Sequence, residues 1–237
     1  MKVLLIGLGT VGEAIAVLSA GRPWLEKMVL ADYDVDRARR VQARVGGDAA
    51  RFPAVRIDAR DRAGIRALIE AHGVDLVMNA VDPRYVMPIF ESALDAGTTY
   101  IDMAVSLSEP HPTDPYHQTG VKLGDRQFEL ADRWRERGQL ALVGMGMDPG
   151  LTEVFAAHAA KHLFDEIDAV HVRDGGDMHI EGYPFATVFS IWTTIEECLN
   201  PPIIFEKDRG WYTTEPFSEP EMFPFPEGVG PVECVNV

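Results

Sequence analysis

Cysteine is scarce in this 237-residue chain: Cys198 and Cys234 stand far apart, in no metal or redox spacing. That excludes a disulfide-stapled scaffold and a thiolate metal site, and two reduced thiols fit a cytoplasmic setting. Positive charge is also in short supply. The 22 Lys and Arg face 37 Asp and Glu, a formal charge of −15. Nucleic acid and anionic membrane surfaces require a basic face, so neither is an expected partner. An anion held locally by backbone amides remains compatible with that charge. Long apolar runs are missing too, since no segment approaches the roughly twenty consecutive apolar residues of a transmembrane helix. The opening "MKVLLIGLGTVG" is too short in its apolar part for a signal peptide and runs straight into glycines. The balance, 46% hydrophobic and 25% charged, is that of an ordinary globular protein with room for one large core or two small ones.

The first half alternates two patterns. Short apolar runs occur at 2–6, 28–31, 54–57, 75–79, 99–102 and 140–144, the signature of strands buried on both faces of a parallel sheet. Helical segments separate them, with Asp34 and Asp61 placed as N-caps, Pro88 in a first turn and Gly97 after a helix end. A further helix is expected over 124–138. Six strands with helical crossovers define an α/β, doubly wound parallel sheet. About twenty residues between Asp102 and that last helix form a long loop at the ligand edge of the sheet. After Gly150 the pattern changes to a helix (151–164), a strand (169–173), a helix within 187–200 and a hairpin (203–214). Seven of the sixteen prolines follow residue 200, so the tail is expected to be extended and irregular. The reading is a dinucleotide domain over 1–148 and the start of an α+β substrate domain over 149–237. That second part is thin, and the chain is expected to be a fragment or to be completed by another chain.

Gly7-Leu8-Gly9-Thr10-Val11-Gly12 is a complete GxGxxG between a strand and a helix, the Rossmann fingerprint. Gly7 makes the tight turn, Gly9 admits the pyrophosphate, and Gly12 lets helix and strand pack. The motif alone is weak, and its context strengthens it. Asp32 lies twenty residues past Gly12, where a carboxylate accepts from ribose hydroxyls and repels a 2′-phosphate. NAD is therefore favoured, with NADP possible. Arg37, Arg39 and Arg40 are read as a solvated helix face. Asp58 at the third strand end and Asn79-Ala80-Val81 at the fourth complete the expected cofactor contacts, against the plainer reading of polar strand ends.

A second glycine-rich stretch, "VGMGMDPGLTE" (143–153), raises the question of a second phosphate cradle. It is read instead as a turn out of the last strand, with Gly144 and Gly146 letting backbone pass near the nicotinamide and Asp148 capping the next helix. With this stretch, "KHLFDEID" (161–168), "GGD" (175–177) and "GYPFATVFS" (182–190), the chain resembles the saccharopine dehydrogenase family, including lysine 6-dehydrogenases and carboxynorspermidine dehydrogenases. The resemblance implies an NAD(P)-dependent oxidoreductase interconverting amine and imine, a sheet-containing substrate domain over the nicotinamide, and a homodimer. It also implies a chain longer than 237 residues. Asp32 departs from the carboxynorspermidine pattern, where a small polar or basic residue stands, and agrees with the lysine dehydrogenase one. The substrate is left as an amine or imine of an amino acid or polyamine precursor.

Such chemistry needs one group to move a proton beside the nicotinamide. Asp102, ending the fifth strand, is the first candidate and Asp148 the second, although Asp before Pro-Gly is also an ordinary turn residue. Tyr116, with His111 and His117, lies on the long loop, as a substrate-contact candidate or else as an ordinary solvated loop residue. Arg173 is a fork for a substrate carboxylate, or else a surface salt bridge. His158 and His162 are four apart, but the glutamate of a zinc motif is absent between them, so no metal is expected. Two other functions stay open: a dinucleotide-binding redox sensor without turnover, and another two-domain amino-acid dehydrogenase.

Overall fold

The computed structural model describes residues 1–173, 180–183 and 190–237. The expectations resting on 175–177 and on most of 182–190 lie outside the described residues. The chain divides into two compact units, the first made of residues 1–107 and 124–155, the second of 108–123 and 156–237.

In the first unit the alternation is realised as β1 (Lys2–Ile6), α1 (Thr10–Ala20), β2 (Lys27–Asp32), α2 (Val35–Arg44), β3 (Ala54–Arg56) and α3 (Arg62–His72). It continues through β4 (Leu76–Asn79), α4 (Val86–Ala96), β5 (Thr99–Asp102), α5 (Asp125–Phe128), α6 (Ala131–Glu136) and β6 (Ala141–Leu142). The six strands pair in parallel in the order β3-β2-β1-β4-β5-β6. Strand order reverses between β1 and β4, the switch point where open α/β sheets bind ligands. β1 serves both faces: Leu4 and Ile6 belong to one buried apolar cluster, Val3 and Leu5 to the other. A period of two with no polar position is what a doubly covered strand requires.

The expected caps form. Asp34 accepts from the amides of Asp36 and Arg37, Asp61 accepts from Gly64, and Gly97 closes α4 in the left-handed conformation. The helix expected over 124–138 is broken into α5 and α6, joined through a tighter bond from Leu130 N to the Gln127 carbonyl. The last strand is two residues rather than five.

The second unit contains most of α7 (Leu151–His162), then α8 (Ile191–Leu199) and two antiparallel hairpins. One hairpin is β7 (Ile203–Glu206) with β8 (Gly210–Thr213), as expected. The other, β9 (Ser218–Phe225) with β10 (Gly230–Asn236), replaces the irregular tail. Proline is tolerated there because both strands of a two-stranded ribbon are edges, and Pro224 and Pro231 face each other in the register. Among the described residues the expected strand at 169–173 has no ladder partner, and Val170 and Val172 are exposed. The long loop is organised: Glu109 and Val121 exchange backbone hydrogen bonds of 2.9 and 3.0 Å, and the Thr213 hydroxyl donates to the Pro115 carbonyl.

Candidate functional site

The chain leaves β1 at the switch point and turns on Gly7, whose φ is +94°. A Cβ on Gly7 would lie 2.5 Å from the Ala80 carbonyl oxygen, and one on Gly12 would lie 1.9 Å from that of Gly7. Packing of the protein against itself demands both glycines. Gly9 is different. Its φ is −67°, open to any L-residue, and nothing lies within 4 Å of where its Cβ would be. Gly9 is the N-cap of α1, and no side chain caps the helix. The first-turn amides and the positive end of α1 therefore face an open space.

Asp32, 4% exposed, holds this loop from beneath. Its Oδ2 accepts from the Leu8 amide at 2.8 Å and its Oδ1 from the Asp34 amide at 2.9 Å. Arg37 of α2 lies above it, with Nη1 3.5 Å from both carboxylate oxygens. Arg39 instead turns to Asp36 on the exposed face. Sequence reasoning placed Arg37 on that solvated face, and its spacing of five from Asp32 was the signal available to find it.

A buried polar chain ties the ends of β4, β5 and β6 together. Asn79 Nδ2 donates to the Tyr100 hydroxyl at 2.9 Å, and that hydroxyl donates to Asp102 Oδ2 at 2.8 Å. Gln127 Nε2 reaches the same oxygen at 2.8 Å, while Oδ1 accepts from the Gly144 amide at 2.7 Å. Asn79 Oδ1 in turn accepts from the Val81 amide, which shapes the 80–81 backbone that closes on Gly7. Asp102 is 1% exposed. Burial pushes its carboxyl above the usual range, with the Gly144, Gln127 and Tyr100 donors opposing. Burial, and then the charge of Asp102, drives the Tyr100 hydroxyl well above its ordinary value. Tyr100 and Gln127 are missed by sequence reasoning, because a tyrosine inside a strand and a glutamine on a helix carry no local mark of this linkage.

The second glycine turn is closed on itself. Gly144 N is taken by Asp102, Met145 N by the Asp102 carbonyl, and Gly146 N by the Pro149 carbonyl. The Asp148–Pro149 peptide is cis, and Glu153 reaches back to the Gly150 amide. These four amides have internal partners, unlike the first turn of α1. Asp148 is exposed and accepts from the Thr152 hydroxyl at 3.3 Å, so the acid reaching back to the start of α7 is Glu153.

The other expected site residues are dispersed. Asp58 is exposed and held in a fork by Arg60, at 3.0 and 2.7 Å, which lowers its carboxyl to about 2. Thr10 and Val11 lie exposed at the start of α1. In the second unit, Tyr116 is exposed. Arg173 is paired with Glu221 and stacked on Phe223, 4.5 Å from its ring centroid. His158 and His162 stack on each other, and among the described residues no three metal-binding side chains gather. No described helix is long and apolar enough to cross a membrane.

A parallel sheet with its switch point beside a glycine turn, an uncapped helix start and a carboxylate ending β2 defines a dinucleotide-binding domain of the doubly wound class. The family model for the saccharopine dehydrogenase NADP binding domain matches residues 3–142, more than half of the chain, and the chain belongs to that family. NAD(P) is the ligand of such a domain. A carboxyaminopropylagmatine dehydrogenase of Synechocystis is 29% identical over 217 residues, covering 92% of this chain and 52% of its own. A carboxynorspermidine synthase of Vibrio cholerae is 30% identical over 215 residues, covering 87% of this chain and 50% of its own. The chain thus spans about half the length of the curated relatives it matches. In fold it is similar to apo saccharopine dehydrogenase (L-Glu forming) from Saccharomyces cerevisiae, with a TM-score of 0.52 at 17% identity over 68% of this chain and 31% of that one.

Proposed function

We propose that this chain carries the dinucleotide-binding part, and the start of the substrate part, of an NAD(P)-dependent oxidoreductase acting on a CH–NH group of an amino acid or polyamine precursor. The observation that supports the cofactor assignment most directly is Gly9. A glycine with ordinary φ and empty space around it serves no packing of the protein, and it leaves room for phosphate at a helix start. The amine chemistry rests on family membership and on the names of the relatives. When bound, the nicotinamide supplies or accepts the hydride.

The protein's own share is then to seat and orient. Gly9 and the first-turn amides of α1 receive the pyrophosphate, with Thr10 and Val11 beside it. Asn79 shapes Ala80 and Val81 against the glycine turn, and Gly146 lies in the turn after β6. Asp58 and its Arg60 partner flank the adenine side. Asp102, buried with three donors on it, is assigned to holding β5, β6 and Gly144 rather than to moving a proton. Asp148, exposed beside a hydroxyl, takes the proton-transfer assignment, and Tyr116 and Arg173 the substrate contacts, Arg173 after release from Glu221. Residues 1–148 are taken as the nucleotide part and 149–237 as the start of the substrate part. A homodimer is supported by large apolar side chains left exposed in the second unit, Trp192, Phe217 and Met222 among them, and a reducing cytoplasm by two free thiols.

The test is absorbance at 340 nm with the purified protein, NADH or NADPH, and a panel of oxo acids with amines. The reverse direction uses NAD or NADP with lysine or saccharopine. Substrate-dependent turnover is expected in one direction. The burial of Asp102 favours one rival, a dinucleotide sensor, and tight dinucleotide binding with no turnover in either direction establishes that rival instead.

A further inference from the structure

Beyond the switch point, β4, β5 and β6 run out into three different loops. One main-chain amide in each loop is held by a side chain. Val81 N donates to Asn79 Oδ1 at 3.1 Å, Ser106 N to Gln127 Oε1 at 2.8 Å, and Gly144 N to Asp102 Oδ1 at 2.7 Å. The three acceptors are themselves joined. Asp102 Oδ2 accepts from the Tyr100 hydroxyl and from Gln127 Nε2, both at 2.8 Å, and the hydroxyl accepts from Asn79 Nδ2 at 2.9 Å. Four side chains thus form one connected group with an amide of each loop on its rim.

Chemistry fixes the direction of these bonds. A phenol has one hydrogen, and here it goes to the carboxylate, the stronger acceptor. The Tyr100 oxygen is left to accept, so Asn79 turns its NH₂ group there and its Oδ1 to Val81. Gln127 is set in the same way, with Nε2 on the carboxylate and Oε1 on Ser106. The group is sealed: Asn79, Tyr100, Asp102 and Gln127 are each 2% exposed or less. The Tyr100 ring stands edge-on to Phe90, with centroids 5.0 Å apart. Burying this many polar groups is costly unless each is partnered, and apolar side chains would join three strands without that cost. What apolar packing does not supply is a set position for individual amides.

On the other side of the switch point Asp32 holds the corresponding place alone, taking the Leu8 and Asp34 amides. A doubly wound sheet carries one mononucleotide half of its ligand over each set of strands. With Asp32 and the glycine turn on the adenosine side, β4, β5 and β6 lie under the nicotinamide mononucleotide.

We propose that Tyr100 and Gln127 are positioning residues for that half of the ligand. Sealed beneath the loops, they act through Asn79 and Asp102, which set the main chain at Val81, Ser106 and Gly144 as a single seat for the nicotinamide ribose and ring. The inference rests on the dinucleotide-binding reading and adds to it the side chains that hold one half of the ligand in place.

Titration calorimetry of the intact chain tests this without any turnover. ADP carries the adenosine half and the pyrophosphate, and NADH and NADPH carry the nicotinamide half as well. Tyr100→Phe keeps the ring and its packing and deletes only the hydroxyl. Gln127→Met keeps the length of the side chain and deletes both of its hydrogen bonds. Each variant is expected to weaken NADH and NADPH about fivefold, while ADP stays within about twofold. Fluorescence gives a second readout, since the emission of the bound nicotinamide should move toward that of the free dinucleotide in both variants. A merely structural role lowers the thermal midpoint and leaves the ratio of dinucleotide to ADP affinity where it was. That unchanged ratio overturns the proposal, and should one variant fail to fold, the other decides. If neither NADH nor NADPH binds the unaltered chain, the dinucleotide reading itself fails and takes this seat with it.

Discussion

Three glycines in one motif divide into two kinds. Gly7 and Gly12 have no room for a methyl group, since a Cβ on either meets backbone at 2.5 Å or less. Gly7→Ala should therefore destabilise the fold by at least about 2 kcal/mol in a urea melt, adding a forbidden φ to the clash. Gly9→Ala should leave stability within about 0.5 kcal/mol and still weaken dinucleotide binding at least about tenfold, because its methyl occupies ligand space. A normal affinity in folded Gly9→Ala would remove the main support for the phosphate site. Asp102 gives a second prediction at this scale. Asp102→Asn turns an acceptor of three donors into a group with one acceptor and an added donor, a loss of about 2 kcal/mol. Burial raises the carboxyl in the folded state, so that state binds the extra proton between the ordinary value near ~4 and the raised one. The stability contributed by this group is then greatest below the window and falls as pH rises through it. Asparagine does not titrate, so the gap between wild type and variant should be widest at and below the ordinary carboxylate range and narrow as pH rises above it. A gap that widens with pH would contradict the raised carboxyl.

At the scale of elements, the parts legible in the sequence are those written in local spacing. Asp34, Asp61 and Gly97 cap where they stand because capping is a matter of two or three residues. Asp61→Ala should accordingly cost about 1 kcal/mol and raise amide exchange at the start of α3, where Gly64 N loses its acceptor. What escaped local spacing is whatever a distant partner decides. Gln127 is drawn inside by Asp102 and by the Ser106 amide, 2.8 Å from its Oε1, and α5 ends one residue after it. Residues 169–173 alternate like a strand but pair with no strand among the described residues. The tail reads as irregular from its prolines and becomes a ribbon because an edge strand has amides to spare. Asp32 and Arg37 follow the same rule: both residues are visible in sequence, whereas the two amides that occupy the acid come from different turns.

Across the whole molecule, a ligand that binds only the folded state raises stability by an amount fixed by mass action. NADPH at a hundred times its dissociation constant should add about 2.7 kcal/mol, read as an upward shift of the thermal midpoint. Gly9→Ala at the same concentration should show little of that shift. Charge and composition excluded nucleic acid as an expected partner, and the doubly wound sheet was legible from six apolar runs. The division of the chain was less so: the long loop segment 108–123 groups with residues 156–237 rather than with the strands on either side of it. No local pattern marks that choice: one of the bonds within this unit runs from the Thr213 hydroxyl to the Pro115 carbonyl, nearly a hundred positions away.

The turn from Gly144 to Gly150 has a consequence for how freely this protein can drift. A Cβ at Gly146 would strike the Met103 carbonyl at 2.6 Å, and one at Gly150 would strike Gly146 at 2.4 Å. Met145 and Met147 of the same turn are exposed. The information here resides in main chain packed on main chain, so a saturation library should return glycine at both positions and almost anything at the two methionines. Selection on such a segment preserves an absence of side chains, and two chains can share this turn while sharing few of the residues that decorate it.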